Sequence, residues 1–319
     1  MYGLQQTNVA TIKRKLREQF STRRFFDVNF SIRLFGLCGR HLLLVELHKF
    51  GNTGAFAGSG SGSLCECAVL GIWDLVLNVQ AHYANMEALK TQTIAYSYPS
   101  SVYNSCIAAD GLYLPSILLF SLFPLLVTLP AGVSMAMDIK SGYIKNLRVR
   151  KEQKSVILSR YISIFAGAFL LAMAATFGQM IFSMMFLPTI SPEIASYTFP
   201  MMAVGQVGHS FYAVHPFLYL LLYNLYDAVY LAGIATLALP LGWLTGNPFV
   251  SLIGPTAIFY FIGFFFDTFS ASQWNPSCIL PPYSDIYLSL PIMIIELCIL
   301  LVISALLAMT CAVKKHDVF

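Results

Sequence analysis

The chain has 319 residues, of which 57% are hydrophobic and 11% are charged, with a formal net charge of +4 at pH 7 and a mean hydropathy of +0.69. Soluble domains carry about 25% charged residues, so this composition excludes an ordinary soluble protein and indicates a membrane protein. The basic residues form no patch interleaved with aromatic residues, which excludes nucleic acid as a partner.

The basic residues are distributed unevenly along the chain. No lysine or arginine occurs between Arg160 and Lys314, whereas segment 138–160 alone holds seven. Because short loops rich in lysine and arginine stay on the cytoplasmic side of a membrane, this segment is predicted to be a cytoplasmic loop. Its basic residues are Lys140, Lys145, Arg148, Arg150, Lys151, Lys154 and Arg160.

Residues 1–27 are predicted to form a basic amphipathic helix on the cytoplasmic side. Apolar residues recur there at helical spacing, and basic residues occupy the other faces, as is typical of a helix that lies in the membrane interface. The apolar stripe consists of Val9, Ile12, Leu16 and Phe20. A solvated tail helix would show the same pattern, and this alternative stays open.

Residues 28–111 are predicted to hold a first membrane crossing and an outer loop. Two stretches compete for the crossing: 30–47, which contains two arginines, and 64–80, which contains two acidic residues. An arginine at the centre of a span costs about 2.5–3.5 kcal/mol, but the choice stays open. The Gly/Ser-rich stretch 51–63 between them has the composition of a flexible linker. A local frameshift over roughly 28–80 would also produce such a patternless sequence.

Residues 112–319 contain five apolar stretches that are long enough to cross a membrane, which takes about 20 residues. They are Leu112–Met137, Tyr161–Leu187, Phe217–Leu239, Phe249–Phe266 and Leu290–Val313. The first contains three prolines and is expected to be kinked. A short turn is predicted between the third and the fourth, around Gly242, Gly246, Asn247 and Pro248.

Together with one crossing before residue 112, these stretches predict about six spans. With segment 138–160 inside the cell, both termini then lie in the cytoplasm, as the basic residues at both ends favour. The predicted fold class is therefore all-α, a polytopic bundle of about six transmembrane helices.

The sequence contains no pattern that indicates an enzyme or a bound metal. It has neither a GxxxxGK[ST] phosphate-binding loop nor an HExxH motif, so no cofactor is expected in this chain. His209 and His215 have no nearby cluster of cysteines or carboxylates. Cys106 and Cys278 both fall in predicted outer loops. The sequence leaves open whether they form a disulfide or remain two free thiols.

Two acidic residues, Asp227 and Glu296, fall inside predicted spans. Ionisable residues inside a membrane are candidates for function by default. Each of the two could line a substrate path, relay protons, or only form a hydrogen bond with a neighbouring helix. These alternatives stay open.

The sequence from Phe123 to Phe165, FPLLVTLPAGVSMAMDIKSGYIKNLRVRKEQKSVILSRYISIF, resembles one region of the permease subunits of bacterial ATP-binding cassette exporters of the second type. That region comprises the second helix, the inner loop and the third helix. The residues that fit the family pattern are Asp138, Ser141, Gly142, Tyr143, Ile144, Lys145, Asn146, Ser159, Arg160 and Tyr161. The stretch LALPLGWLTGNPFVSLIGP is similar to the family's turn between the fourth and fifth helices. The resemblance covers residues 112–319 and, weakly, 1–27, but not about 28–80.

The resemblance implies a multi-pass permease of the cell membrane that forms a translocation path across the lipid bilayer. It implies two partners: a second permease copy or homologue, and a separate cytoplasmic ATP-binding cassette ATPase that binds the ATP. The implied contact with the ATPase consists of Ser141, Gly142, Tyr143, Ile144, Lys145, Asn146, Arg148, Arg150 and Lys151.

Two other functions remain open. An ion-coupled secondary transporter would use Asp227 and Glu296, and the internal repeats typical of that class are not evident. A non-transporting membrane sensor or assembly protein would use the basic loop to bind a regulator or anionic lipid.

Overall fold

A computed structural model of the chain describes residues 55–90, 101–111, 113–132, 134–142, 152–190, 207–283 and 288–313. Apart from Ala55, these residues belong to one compact unit, Phe56–Phe319. They contain helices and connecting loops but no strand, so the predicted all-α class is confirmed. The predicted helix at 1–27, the competing first crossing at 30–47 and both termini lie outside the described residues.

Eleven α-helices make up the described part of the chain. They are α1 (Ala55–Lys90), α2 (Val102–Ser105), α3 (Leu114–Gly132), α4 (Ser134–Lys140), α5 (Gln153–Ser183), α6 (His209–Val214), α7 (Pro216–Thr236), α8 (Ala238–Thr245), α9 (Pro248–Thr268), α10 (Pro276–Ile279) and α11 (Leu290–Val313). A 3₁₀ turn, Ser272–Trp274, precedes α10.

Five stretches of the described residues are helical, long and apolar enough to cross a membrane. They are Gly62–Glu87, Gln153–Ser183, Pro216–Thr245, Pro248–Thr268 and Leu290–Cys311. A sixth apolar helix, Leu114–Pro130, is shorter. This set matches the predicted polytopic bundle of about six spans.

Helix α1 includes the stretch 64–80, one of the two candidates for the first crossing. The predicted linker at 51–63 is wrong from Ala55 onward, because residues 55–63 continue the same helix. Helix α1 closely approaches α5 at Gly71, where a Cβ atom would lie 2.9 Å from Cγ of Gln179.

The predicted span Leu112–Met137 consists of two helices, α3 and α4, rather than one. Pro124 and Pro130 lie inside α3, and each lacks the N–H that would bond to the carbonyl four residues earlier. Helix α9 supplies side-chain donors to the backbone of α3: Tyr260 Oη donates to the carbonyl of Ser121, and Ser251 Oγ donates to that of Gly132.

Helix α5 begins at Gln153, eight residues before the predicted start at Tyr161. Residues 153–160, which the sequence analysis assigns to the basic segment, are helical in the structure. Two side chains of these turns have partners on other helices. Gln153 Nε2 donates to the carbonyl of Cys311 at 2.8 Å, and Arg160 forms an ion pair with Asp138 of α4.

The predicted span Phe217–Leu239 is interrupted at Leu237, and the helical chain then continues as α8 to Thr245. Pro240 lies in the first turn of α8 and cannot donate to the carbonyl of Thr236. The predicted turn is wrong at Gly242, which is helical, and correct at Gly246. Gly246 adopts the left-handed conformation, with φ of +60°.

The bundle is arranged around α7. Of the 18 most apolar consecutive residues in the stretch Pro216–Thr245, 78% are buried. The same share is 22% for α9 and 17% for α11. Helices α9 and α11 therefore expose most of their side chains at the outer surface of the bundle, where lipid would contact them. Most side chains of α7 therefore lie inside the described bundle, although a few, such as Leu222, are exposed.

Replacing Leu231 on α7 with alanine should lower the free energy of unfolding by about 2–5 kcal/mol, since the side chain is fully buried and its loss leaves a cavity. Leu222→Ala on the same helix is the matched control, because this side chain is 51% exposed. Thermal or denaturant unfolding in detergent measures both. Equal losses of stability would contradict the central position of α7.

Candidate functional site

The apolar core of the described residues consists of two clusters. The large cluster includes Leu119, Phe123 and Leu231, and the small cluster includes Met180 and Leu220. Helices α1, α5, α7 and α11 each pass from one cluster to the other along their length. The level at which the clusters meet is where polar side chains occur.

This change of cluster is clearest on α5 and α7. On α5, the large cluster extends to Ala175 and the small cluster begins at Met180. Thr176 and Gln179 lie between them and are buried. On α7 the order is reversed: the small cluster extends to Tyr223 and the large cluster begins at Ala228. Asn224 and Asp227 lie between them, exposed by 2% and 1%.

The same boundary crosses α1 and α11. Asp74 lies between Leu70 of the large cluster and Leu75 of the small cluster, and it is fully buried. Glu296 lies between Met293 and Leu297 in the same way and is half-buried. Asp110, in the loop between α2 and α3, is 1% exposed. We call these four residues, Asp74, Asp110, Asp227 and Glu296, the acidic layer.

Asp74 and Asp110 are joined by amide side chains. Asn78 Nδ2 donates to Oδ2 of Asp110 at 2.9 Å and to the backbone carbonyl of Asp74 at 3.1 Å. Gln179 Nε2 lies 3.5 Å from Oδ2 of Asp74. The oxygen of the same amide accepts from the backbone N–H of Ile107 at 3.1 Å. Two amides thus hold α1, α5 and the loop 106–111 together.

Tyr283 connects this pair of carboxylates to Asp227. Its ring packs against both apolar clusters, and a Cβ atom at Gly111 would lie 2.6 Å from the ring. Burial raises the pKa of Tyr283, a contact with the Ser116 hydroxyl lowers it, and Asp110, Asp74 and Asp227 are all close enough to interact with Tyr283 electrostatically. Tyr283 is therefore close to three members of the acidic layer.

A column of tyrosines on α7 connects Asp227 to Glu296. The rings of Tyr219, Tyr223, Tyr226 and Tyr230 follow one another with centroid distances of 5.8, 6.2 and 6.1 Å. Tyr230 Oη donates to Oε1 of Glu296 at 2.6 Å. Tyr226 interacts electrostatically with both Glu296 and Asp227. The four carboxyl groups thus belong to one connected layer.

Several polar atoms of this layer have no hydrogen-bond partner among the described residues. They are Oδ1 of Asp74, both carboxyl oxygens of Asp227, Oε2 of Glu296 and Nδ2 of Asn224. Unsatisfied buried polar atoms are rare in proteins, and each calls for an explanation such as a chemical role or a bound water or ion. Within the described residues, no three His, Cys, Asp or Glu side chains come close enough to hold a metal ion.

The structure describes only part of the predicted ATPase contact. Ser141 and Gly142 form the turn that follows α4, where Gly142 has a φ of +73° and Ser141 Oγ donates to the carbonyl of Asp138 at 3.3 Å. The other members lie outside the described residues: Tyr143, Ile144, Lys145, Asn146, Arg148, Arg150 and Lys151. The ion pair between Asp138 and Arg160 joins the two sides of this segment.

The two acidic residues singled out in the sequence, Asp227 and Glu296, both belong to the acidic layer. Sequence reasoning missed the roles of Asp110 and Tyr283, since a residue in a loop between spans carries no signal of burial. It could have found the tyrosine column, because tyrosines at positions 219, 223, 226 and 230 have helical spacing.

The thiols of Cys106 and Cys278 are both free, so the structure favours two free thiols over a disulfide for this pair. Burial raises the pKa of Cys106 to about 12, and the charge of Asp74 adds to this effect. Burial and Asp267 also raise the pKa of Cys278, which is half-buried.

Comparison with known proteins identified no relative. No family model, no curated protein and no solved structure matches the chain.

In a protein whose other cysteines are replaced, Cys106 should react with maleimide far more slowly than Cys278. A thiol with a pKa of about 12 is roughly 10⁻⁴ ionised at pH 8, and the thiolate is the reactive form. The rate of maleimide labelling at Cys106 should keep rising at pH values at which an ordinary thiol is already fully ionised. Equal rates, or labelling that requires a reductant, would contradict this assignment.

Proposed function

We propose that the chain is the membrane permease subunit of an ATP-driven exporter and that segment 138–160 docks onto a separate ATPase. The observation that carries this proposal is the ion pair between Asp138 and Arg160, which closes the base of a strongly basic segment. Both residues belong to the pattern shared with permeases of exporters of the second type. A loop closed in this way moves with the helices that flank it.

Two further contacts attach the base of this segment to the rest of the bundle. Gln153 donates to the carbonyl of Cys311 at 2.8 Å, and the hydroxyls of Tyr161 and Ser304 lie 2.9 Å apart. The N-terminal turns of α5 are thereby fixed to both α4 and α11. A force applied to the segment would act on three helices at once.

Helix α5 runs without interruption from Gln153 to Ser183. It includes Gln179, whose amide lies 3.5 Å from Asp74 of the acidic layer. At 1.5 Å per residue, the distance from residue 153 to residue 179 is about 39 Å. A rigid helix of this length would transmit displacement of the basic segment to the level of Asp227 and Glu296. These two residues would line the translocation path.

In this proposal, two permease copies, or this chain and a homologue, face each other in the cell membrane. ATP binds to the partner ATPase, so this chain holds no cofactor and catalyses no reaction of its own. ATP binding would close the ATPase subunits and shift access to the path from one side of the membrane to the other.

The acidic layer favours a second candidate, an ion-coupled secondary transporter. Buried carboxyl groups in spanning helices form ion and proton pathways in that class. The two candidates differ in their partner, because only the exporter subunit requires an ATPase. Capture of an ATPase by the purified protein therefore separates them.

Reversing the charge of Arg148, Arg150 and Lys151 together should abolish co-purification of the ATPase, since the contact relies on these cations. The bundle should keep its melting temperature, because the reversed residues lie outside the spans. Lys314→Glu with Lys315→Glu is the control for a general effect of charge. Unchanged co-purification and unchanged transport in the triple variant would refute the docking role.

A cysteine introduced as Asn146→Cys into a protein without other cysteines should react with a membrane-impermeant maleimide only in inside-out vesicles. The positive-inside rule places this basic segment in the cytoplasm. Labelling of intact cells measures the sidedness directly. Labelling from the outside would invert the topology and remove the basis for ATPase docking.

A further inference from the structure

We propose that the acidic layer is a proton-binding site, in which the carboxyl groups of Asp227 and Asp74 carry protons while the bundle is packed. The inference rests on the acidic layer alone. It holds whether or not an ATPase docks onto segment 138–160.

The first argument is the lack of a countercharge. The sequence has no lysine or arginine from residue 161 to residue 313, the part of the chain that holds Asp227 and Glu296. The nearest basic residue in sequence to Asp74 on the same helix is Lys90, which lies about 24 Å away along the axis. An ionised carboxylate that is buried without a countercharge costs several kcal/mol. Taking up a proton removes that cost.

The second argument is the lack of donors. Carboxylates that stay ionised in protein interiors accept several hydrogen bonds. Among the described residues, no donor reaches either oxygen of Asp227 or Oδ1 of Asp74. The other oxygen of Asp74 lies 3.5 Å from the Gln179 amide, and the amide of Asn78 also interacts with this carboxyl group. Asp110 differs, because Asn78 donates to it at 2.9 Å.

The third argument comes from a neutral residue of the same level. Nδ2 of Asn224 is buried without an acceptor, and this residue precedes Asp227 by three positions on α7, so the two share a helix face. An amide N–H group needs an acceptor. No hydrogen bond joins this amide to Asp227, so the Asp227 carboxyl group is not stabilised as a carboxylate even by the donor three positions away.

The groups around these carboxyls are all acidic or neutral. Tyr219, Tyr223, Tyr226 and Tyr283 interact electrostatically with Asp227. Asp110, Asn78, Gln179, Cys106 and Tyr283 surround Asp74. Tyr226 and Tyr230 face Glu296. Ionisation of one carboxyl group therefore disfavours ionisation of the next, and proton binding at one position affects the others.

A metal ion is a poorer occupant than protons. Calcium takes six to eight oxygen ligands and magnesium requires an octahedral shell, whereas no three acidic side chains of the described residues converge on one point. Separate carboxyl groups can each bind one proton without converging. In this step one O–H bond forms at each carboxylate, with a proton drawn from water, and no electron is transferred.

Infrared spectroscopy of the protein in lipid nanodiscs at neutral pH tests the proposal, since a protonated carboxyl group has its own C=O stretching band. We expect this band in the unmodified protein, a partial loss in Asp227→Asn and in Asp74→Asn, and a complete or nearly complete loss in the double variant. Asp267→Asn is the matched control, because Asp267 is exposed and accepts from Asn275 Nδ2 at 2.7 Å. The control should leave the band unchanged.

The absence of the band at neutral pH in the unmodified protein would overturn the proposal, and so would a band that both single variants retain in full. A band that appears only when sodium is removed would show that an inorganic cation occupies the layer instead. Asparagine has nearly the shape of aspartate, and the melting temperature of each variant reports whether it is folded. If a variant fails to fold, a pH titration of the band in the unmodified protein gives the same decision.

Discussion

The described bundle buries carboxyl groups, and two of them, Asp227 and Glu296, lie in the part of the sequence, 161–313, that holds no lysine or arginine. This constraint explains why polar side chains gather where the two apolar clusters meet. The amides of Asn78 and Gln179 stabilise the Asp74 and Asp110 end of the layer, and the hydroxyl of Tyr230 stabilises Glu296 at the other end. Asp227, at the centre, has no hydrogen-bond donor within the described part of the chain. The weakest hydrogen bonding of the layer therefore occurs on the helix around which the bundle packs.

The two ends of the molecule are mechanically connected. The basic segment is attached to α4, α5 and α11 by side-chain contacts at its base, and α5 continues from that base to the acidic layer. On the other side of the layer, hydroxyls of the tyrosine column tie α7 to its neighbours: Tyr223 donates to the carbonyl of Ile279 at 2.6 Å, and Tyr226 donates to that of Met293 at 3.2 Å. A displacement of one end of α5 would therefore also displace α7, α10 and α11.

Hydropathy and charge predicted the class of fold and the bounds of α11 to the residue, because a continuous apolar stretch ends there at two lysines. They failed where tertiary contacts override local pattern. Because Lys154 and Arg160 are charged, the sequence predicted a loop at the first turns of α5. In the structure Arg160 is helical and forms an ion pair with Asp138. Gly242 looked like a turn, yet the helix continues through it. Asp227 and Glu296 could be identified as acids inside spans, whereas the burial of Asp110 depends on how the loop 106–111 folds back onto α1 and α5.

The contacts between α3 and α9 have a consequence for how the protein is made. Pro124 and Pro130 cannot donate to the carbonyls of Phe120 and Leu126, and α9 adds bonds to two other carbonyls of α3: Tyr260 donates to Ser121, and Ser251 donates to Gly132. More than a hundred residues of chain separate the donors from the acceptors, so α3 leaves the ribosome long before its partner exists. Until α9 has been made, α3 lacks these two bonds, and its final packing has to wait for the second half of the chain.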